Sequence, residues 1–242
     1  MNNDTSPVNA GRSGYYNFRK NNFVTNSSYK ARKKIYDLFM RLFPDVKRIA
    51  DYGVTAEESS SEANLLERLY PEKEKITAIS IENAGFLEKK YPGMKFVKVL
   101  PDQRLPFDDD YFDVVYSHAV IEHIPGEKER AHFLKEITRI GKCVFLTTPN
   151  RYFPVETHTL VPFLHFLLPS FFYFLLDRKI LSSFYNSKNL KLLGRRALET
   201  MAGSFNVKYS IFPVRSFGMI SNFVLVMSRN GSPHHLPPSP LR

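Results

Sequence analysis

Four short stretches hold the residues most able to do chemistry. Asp51-Tyr52-Gly53-Val54-Thr55 sets a carboxylate two residues ahead of a glycine. At a strand end that pattern lets the backbone approach a nucleotide-like ligand, because glycine brings no side chain to the contact. Arg104-Leu105-Pro106-Phe107-Asp108-Asp109-Asp110-Tyr111-Phe112-Asp113-Val114-Val115 joins an acidic run to an apolar one. Ser117-His118-Ala119-Val120-Ile121-Glu122-His123-Ile124 follows it, and Glu156-Thr157-His158-Thr159 lies further on. An imidazole titrates near neutral pH and can take or give a proton, and a carboxylate beside it fixes its tautomer. His158, His118 and Glu156 are therefore the candidate catalytic groups, with His123 and Glu122 as weaker ones. His123 reads more readily as a packing or capping residue at a helix start. His165 sits in an apolar run and reads as structural, Cys143 as inert core, and His234-His235 lack ligand partners nearby in sequence. No metal site is read.

The elements that must position these groups alternate. A helix is expected from Ser28 to Pro44, where Ile35, Leu38, Phe39 and Leu42 recur at helical spacing and proline stops the run. Strands are expected from Arg48 to the Asp51 turn, and over 76–81, 95–99, 112–117 and 142–147. Helices are expected over 59–70, 83–91 and 127–139. Five apolar strands, at least three separated by helices, imply a parallel sheet covered on both faces. Ligands of such sheets bind beyond the strand carboxyl ends, where all four stretches fall. Residues 160–176 read LVPFLHFLLPSFFYFLL, too short and proline-broken for a membrane span of about 20 residues. Two short interfacial or pocket-covering helices are expected there. A helix over 189–201 and two strands, 206–212 and 222–228, joined by a Pro/Gly-bearing loop, complete the pattern.

The LPF-acidic-FDVV…EH run at this distance from a D-x-G turn resembles the class I S-adenosylmethionine-dependent methyltransferases. The likeness is closest to their small-molecule branch and covers roughly residues 45–150 and 206–228. The segment from Thr147 to Pro169 is similar to a subgroup associated with cell-surface polysaccharide synthesis. The resemblance implies a Rossmann-like sheet of about seven strands with the last antiparallel, and S-adenosylmethionine as cofactor. It places Asp51 and Gly53 at the methionine end, Asp102, Gln103, Arg104 and Leu105 beside adenine, and Ser117, His118 and Ala119 across the pocket. Three positions depart from the pattern. Thr55 replaces the second glycine of the first turn. Ser80 stands where an acidic residue usually takes the ribose hydroxyls, leaving Glu82 as the nearest carboxylate. Pro101 replaces an aspartate, with Asp102 one place later.

The expected organisation is an N-terminal arm and helix (1–46), a cofactor-binding core (47–150), a helical apolar insertion or lid (151–203), closing strands (204–230) and a disordered tail (231–242). Of 242 residues 43% are hydrophobic and 14% aromatic, enough for a core. A single cysteine excludes an intrachain disulfide, and the N-terminus has no apolar signal segment, so a cytoplasmic location is expected. The net charge of +10 is uneven: +7 over residues 1–50, −5 over 51–150 and +5 over 177–196. An acidic centre between basic flanks disfavours nucleic acid and suits a phosphate-bearing substrate or an anionic membrane surface. The sequence reading is a methyltransferase acting on a hydroxyl or amine of a glycan, a lipid-linked compound or another bulky small molecule, peripheral to the membrane, with an oligomer contact through 160–180 as a further expectation. The competing reading is a catalytically silent methyltransferase-like binding domain. A nicotinamide dehydrogenase is disfavoured, since no G-x-G-x-x-G follows the first strand.

Overall fold

The computed structural model describes residues 22–58, 62–156, 158–183 and 185–229. The N-terminal arm and the proline-rich tail fall outside them for the most part. Seven strands form one sheet: β1 (Ile49–Tyr52), β2 (Ile76–Ser80), β3 (Lys95–Lys98), β4 (Phe112–His118), β5 (Gly141–Pro149), β6 (Lys208–Ser216) and β7 (Met219–Ser228). Their order is β3-β2-β1-β4-β5-β7-β6. The first five pair in parallel, and β7 runs antiparallel to both β5 and β6. The Rossmann-like sheet with a reversed last strand is the architecture expected from the sequence.

Adjacent residues of a strand face opposite sides, and the central strands are apolar on both. One face collects Ile49, Val114, Tyr116 and Phe145, and the long helix α1 (Asn22–Leu42) lies on it. Phe39 of α1 is fully buried and meets the Tyr116 and Phe145 rings edge-on at 5.2 and 5.4 Å. The other face collects Ala50, Val115, Val144 and Leu146 under α4 (Glu127–Ile140) and α7 (Arg195–Gly203). Both layers are required because a parallel strand has no solvent-tolerant face.

Several boundaries differ from expectation. The second helix, α2, is only Leu65–Leu69, because Asn64 takes left-handed backbone (φ 45°) and breaks the run before it. The third, α3, is Leu87–Lys90. Residues 189–193 are not helical: Leu193 bridges to Asn150 beside the end of β5, and α7 begins after the extended Gly194. β6 and β7 are longer than expected and meet in a two-residue turn at Phe217-Gly218, both at positive φ, the geometry that closes a tight hairpin. Pro213, expected in a loop, is a strand residue, tolerated because β6 is an edge strand with neighbours on one side.

The apolar insertion does form two short helices, α5 (Leu164–Leu167) and α6 (Pro169–Asp177). Phe172 and Leu176 are completely buried against Tyr185, Leu190 and Leu192 in a small core of their own. Phe172 is therefore turned inward, away from the surface that its neighbours in the apolar run share. Phe163, Leu167, Leu168, Phe171, Phe174 and Ile180 do remain about half exposed or more. Among the described residues no helix is long and apolar enough to cross a membrane.

Candidate active site

A cavity of about 860 Å³ opens at the carboxyl ends of β1, β2, β4 and β5. Strand order reverses between β1 and β4, the position at which open α/β sheets hold ligands. Asp51, Gly53, Thr55, Glu82, Asp102, Gln103, Leu105, His118, Ala119 and His158 line it.

The first turn is built around Gly53. Its φ is +109°, and a Cβ placed there would lie 2.1 Å from Val120 Cγ2, so only glycine fits. The chain beyond it is clamped by Asn64, whose Oδ1 accepts from the Thr55 N–H (3.0 Å) and whose Nδ2 donates to the Thr55 carbonyl (2.8 Å). Thr55 thus replaces glycine without closing the cavity. Glu82 Oε2 accepts from the Ala56 N–H at 3.1 Å, and Ser80 Oγ accepts from the Glu82 N–H at 3.1 Å. Ser80, 3% exposed, anchors the loop from which the Glu82 carboxylate enters the cavity.

Asp51 is buried beside Glu67 of α2. Burial above all, and then the Glu67 carboxylate, raise the Asp51 pKa well above the carboxylate range; burial raises Glu67 too. Both Glu67 oxygens are buried without a hydrogen-bond partner among the described residues, so loss of solvation is what favours the neutral carboxyl there.

The loop from Asp102 to Leu105 is held by α4. Glu136 Oε2 accepts from the Leu105 N–H at 2.8 Å, and Arg139 donates to the carbonyls of Leu105 (3.0 Å) and Phe107 (2.7 Å). Arg104 itself points away: it is exposed, lies 3.8 Å from Asp109, and is absent from the cavity wall. Ser117 is also withdrawn. It is fully buried and its hydroxyl donates to the Tyr52 carbonyl at 3.0 Å, tying β4 to β1. These two residues of the expected cofactor set do not reach the cavity.

His118 Nδ1 lies 2.7 Å from Thr147 Oγ1, and loss of solvation together with the Arg32 charge holds its pKa well below the usual histidine range. Across the cavity, Glu156 lies behind its wall and supports His158: one oxygen meets His158 Nδ1 at 2.6 Å, and the other accepts from the Thr159 N–H and hydroxyl at 2.6 and 2.8 Å. The surrounding donors, His158 foremost, outweigh burial and bring Glu156 down to about 2. His158 Nε2 faces His123 Nε2 at 3.2 Å, and both rings pack on Tyr185. His123 Nδ1 lies 3.2 Å from the Asn189 carbonyl. Glu122 is completely buried. Its Oε2 accepts from Thr148 at 3.1 Å, its Oε1 has no hydrogen-bond partner among the described residues, and burial lifts its pKa to about 7.

Residues the sequence did not single out complete the walls. Ser28 and Arg32 of α1, Phe133 and Glu136 of α4, Tyr185, and Ser216, Phe217, Met219, Ser221 and Asn222 around the β6–β7 turn all contribute. None belongs to a motif; each arrives through packing of a distant element over the sheet edge. Phe153, Pro154, Val155, His158, Leu160 and Tyr185 supply the wall after β5, whereas α5 and α6 stand behind it.

Residues 59–143 match the family model described as a methyltransferase domain. No curated relative matches the chain. Among solved structures, a S-adenosylmethionine-dependent methyltransferase from Thermotoga maritima is 14% identical, covering 89% of this chain and 96% of its own, with a TM-score of 0.57. A 1,6-didemethyltoxoflavin N1-methyltransferase from Burkholderia thailandensis, bound to S-adenosylhomocysteine, is 10% identical over 91% of this chain and 86% of its own, TM-score 0.55. The N-methyltransferase NodS from Bradyrhizobium japonicum, with the same ligand, is 8% identical over 82% and 87%, TM-score 0.53. At these identities the shared property is the fold, and the family model names the domain. Residues 59–143 thus resemble a methyltransferase domain, and the chain shares its fold with solved S-adenosylmethionine-dependent methyltransferases.

Proposed function

We propose that this protein transfers a methyl group from S-adenosylmethionine to a hydroxyl or amine of a bulky small-molecule acceptor, of glycan or lipid-linked character. The observation that carries the reading is the single cavity wall on which the Gly53 turn, the Asp51 carboxyl, Glu82 and the Asp102–Leu105 loop meet. These residues fit the cofactor. Gly53 leaves backbone where a Cβ could not stand. Asp51 offers a carboxyl to an ammonium group and Glu82 one to ribose hydroxyls. Leu105, Val120 and Phe133 line an apolar part of the cavity suited to adenine. The cofactor supplies a methyl on a sulfonium, already activated toward displacement.

The protein's own task is orientation, exclusion of water and management of one proton. His118, on the cavity wall and tied to Thr147, is placed to accept the proton that the acceptor's hydroxyl or amine loses. Glu156 fixes the His158 ring at the opposite wall, where it orients the acceptor. The exposed ridge of Phe163, Leu167, Phe171 and Phe174, with Arg178 and Lys179 at its end, suits contact with an anionic membrane surface that would present such an acceptor. A second subunit on this ridge is the alternative to be separated by experiment.

Calorimetric titration with S-adenosylhomocysteine, beside a reduced nicotinamide control, tests the cofactor. Binding of the first alone is expected. No binding at millimolar ligand leaves the silent-domain reading in its place.

A further inference from the structure

We propose that Glu122, His123 and His158 form a divalent-cation site that faces the acceptor half of the cavity. The proposal rests on the methyltransferase reading for what the cation would hold, and on geometry alone for the site itself.

One side-chain ligand atom from each of the three residues lies within 4.8 Å of the other two. The outer contacts of the two rings decide what faces inward. Glu156 accepts at His158 Nδ1 and the Asn189 carbonyl accepts at His123 Nδ1, so both Nδ1 atoms carry their protons. In the neutral rings, both Nε2 lone pairs then point at each other across 3.2 Å. Two lone pairs do not attract, and a cation between or beside them would turn this contact into a favourable one. Two nitrogens held about 2.1 Å from one cation stand roughly 3.0–3.4 Å apart, for octahedral or tetrahedral angles. The observed separation falls in that window.

The outer partners fit as well. Metal-bound histidines donate their second N–H to a carboxylate or a backbone carbonyl, and here there is one of each. Glu122 gives an independent sign. It is completely buried, and one of its oxygens has no hydrogen-bond partner among the described residues, an arrangement that is costly unless a cation or donor meets it. An oxygen of that carboxylate lies within 4.8 Å of a ring nitrogen of each histidine. Two histidines and one carboxylate leave coordination positions open, suited to Mn²⁺, Fe²⁺, Co²⁺ or Zn²⁺. His123 and His158 line the cavity, so those positions open onto it. An acceptor hydroxyl, or a pair of neighbouring hydroxyls, is the ligand they would take, which favours oxygen over amine acceptors.

The alternative is a proton between the rings, with one of them an imidazolium. Titration of the full chain with Co²⁺, followed by visible absorption, distinguishes the two. A His234→Ala/His235→Ala background removes the tail pair as a source of signal. One Co²⁺ per chain is expected, with Glu122→Gln and His158→Gln each weakening it at least tenfold. Glu156→Gln, which touches only the outer shell, should weaken it about 10- to 100-fold. S-adenosylhomocysteine binding, measured on every variant, reports whether it folds. If Glu122→Gln loses that binding, His158→Gln decides. Absence of Co²⁺ binding in the parent, or binding unchanged in the variants that keep S-adenosylhomocysteine, overturns the site. Co²⁺ binding without any S-adenosylhomocysteine binding in the parent supports the site and overturns the cofactor reading.

Discussion

Glu82 offers the sharpest test of how the cofactor is held. The resemblance would put the ribose ligand at Ser80, yet Ser80 is buried and its hydroxyl accepts the Glu82 N–H at 3.1 Å. The carboxylate that reaches the cavity is two residues later. A hydrogen bond to a charged group contributes about 1.5–3 kcal/mol, so Glu82→Ala should weaken S-adenosylhomocysteine roughly 10- to 140-fold. Part of that loss would be indirect, because Glu82 Oε2 also accepts from the Ala56 N–H at 3.1 Å and steadies the first turn. Glu82→Gln separates the two effects. Its amide oxygen can still take the Ala56 N–H while the charge is gone, so it should fall between wild type and Glu82→Ala. Ser80→Ala loses one neutral hydrogen bond within the loop, about 0.5–1.5 kcal/mol of stability, and should weaken binding less than Glu82→Ala. Isothermal calorimetry under one buffer condition ranks the three variants. Ser80→Ala weakening binding more than Glu82→Ala would refute the assignment and the placement of this loop.

Three further outcomes are expected. Gly53→Ala combines a strained φ of +109° with a Cβ 2.1 Å from Val120 Cγ2, and strain and overpacking of about 1–3 kcal/mol each should lower the melting temperature and cofactor affinity together. Gly53→Ala/Val120→Ala should recover part of the melting temperature, and no recovery would count against the clash. For Asp51 and Glu67, whose pKa values are raised on folding, the stability the pair contributes is full below the ordinary carboxylate range near pH 4 and is lost as pH rises through the raised values. Glu67→Gln should therefore raise the melting temperature at pH 8 more than at pH 4, and an equal effect at both would disprove the raised pKa of Glu67. At the surface, Phe171→Glu/Phe174→Glu should abolish flotation with anionic vesicles and leave the fold intact, since both rings are about half exposed. Unchanged flotation would refute the membrane contact, and a change in sedimentation mass without any flotation would assign the ridge to a second subunit.

Much of the architecture was legible because it rests on local pattern. Continuous apolar strands alternating with helices, a glycine after Asp51, and prolines within 160–176 are one-dimensional signals with direct physical meaning, and they led to the sheet and the two short helices. Boundaries were less legible where one residue's backbone outweighs periodicity: Asn64 at φ 45° shortens α2, and the pairing of Leu193 with Asn150 removes the first turn expected of α7. Pro213 read as a loop residue because sequence does not reveal which strand has a free edge.

The sequence by itself determined which chemical groups the chain owns and that they gather at one end of the sheet, since strand carboxyl ends share an edge. Only the tertiary structure decided which of them share a space. Ser117 and Arg104 sit within the expected motifs yet turn to Tyr52 and Asp109, because strand parity and local ion pairing set their directions. Phe172 belongs to an exposed-looking aromatic run but faces Tyr185, Leu190 and Leu192, which arrive from beyond it in the chain. His123 and His158, thirty-five residues apart, meet at 3.2 Å beside Glu122 because β4 and β5 are neighbours. A distance between side chains depends on the pairing and packing of whole elements, and no local sequence signal contains it.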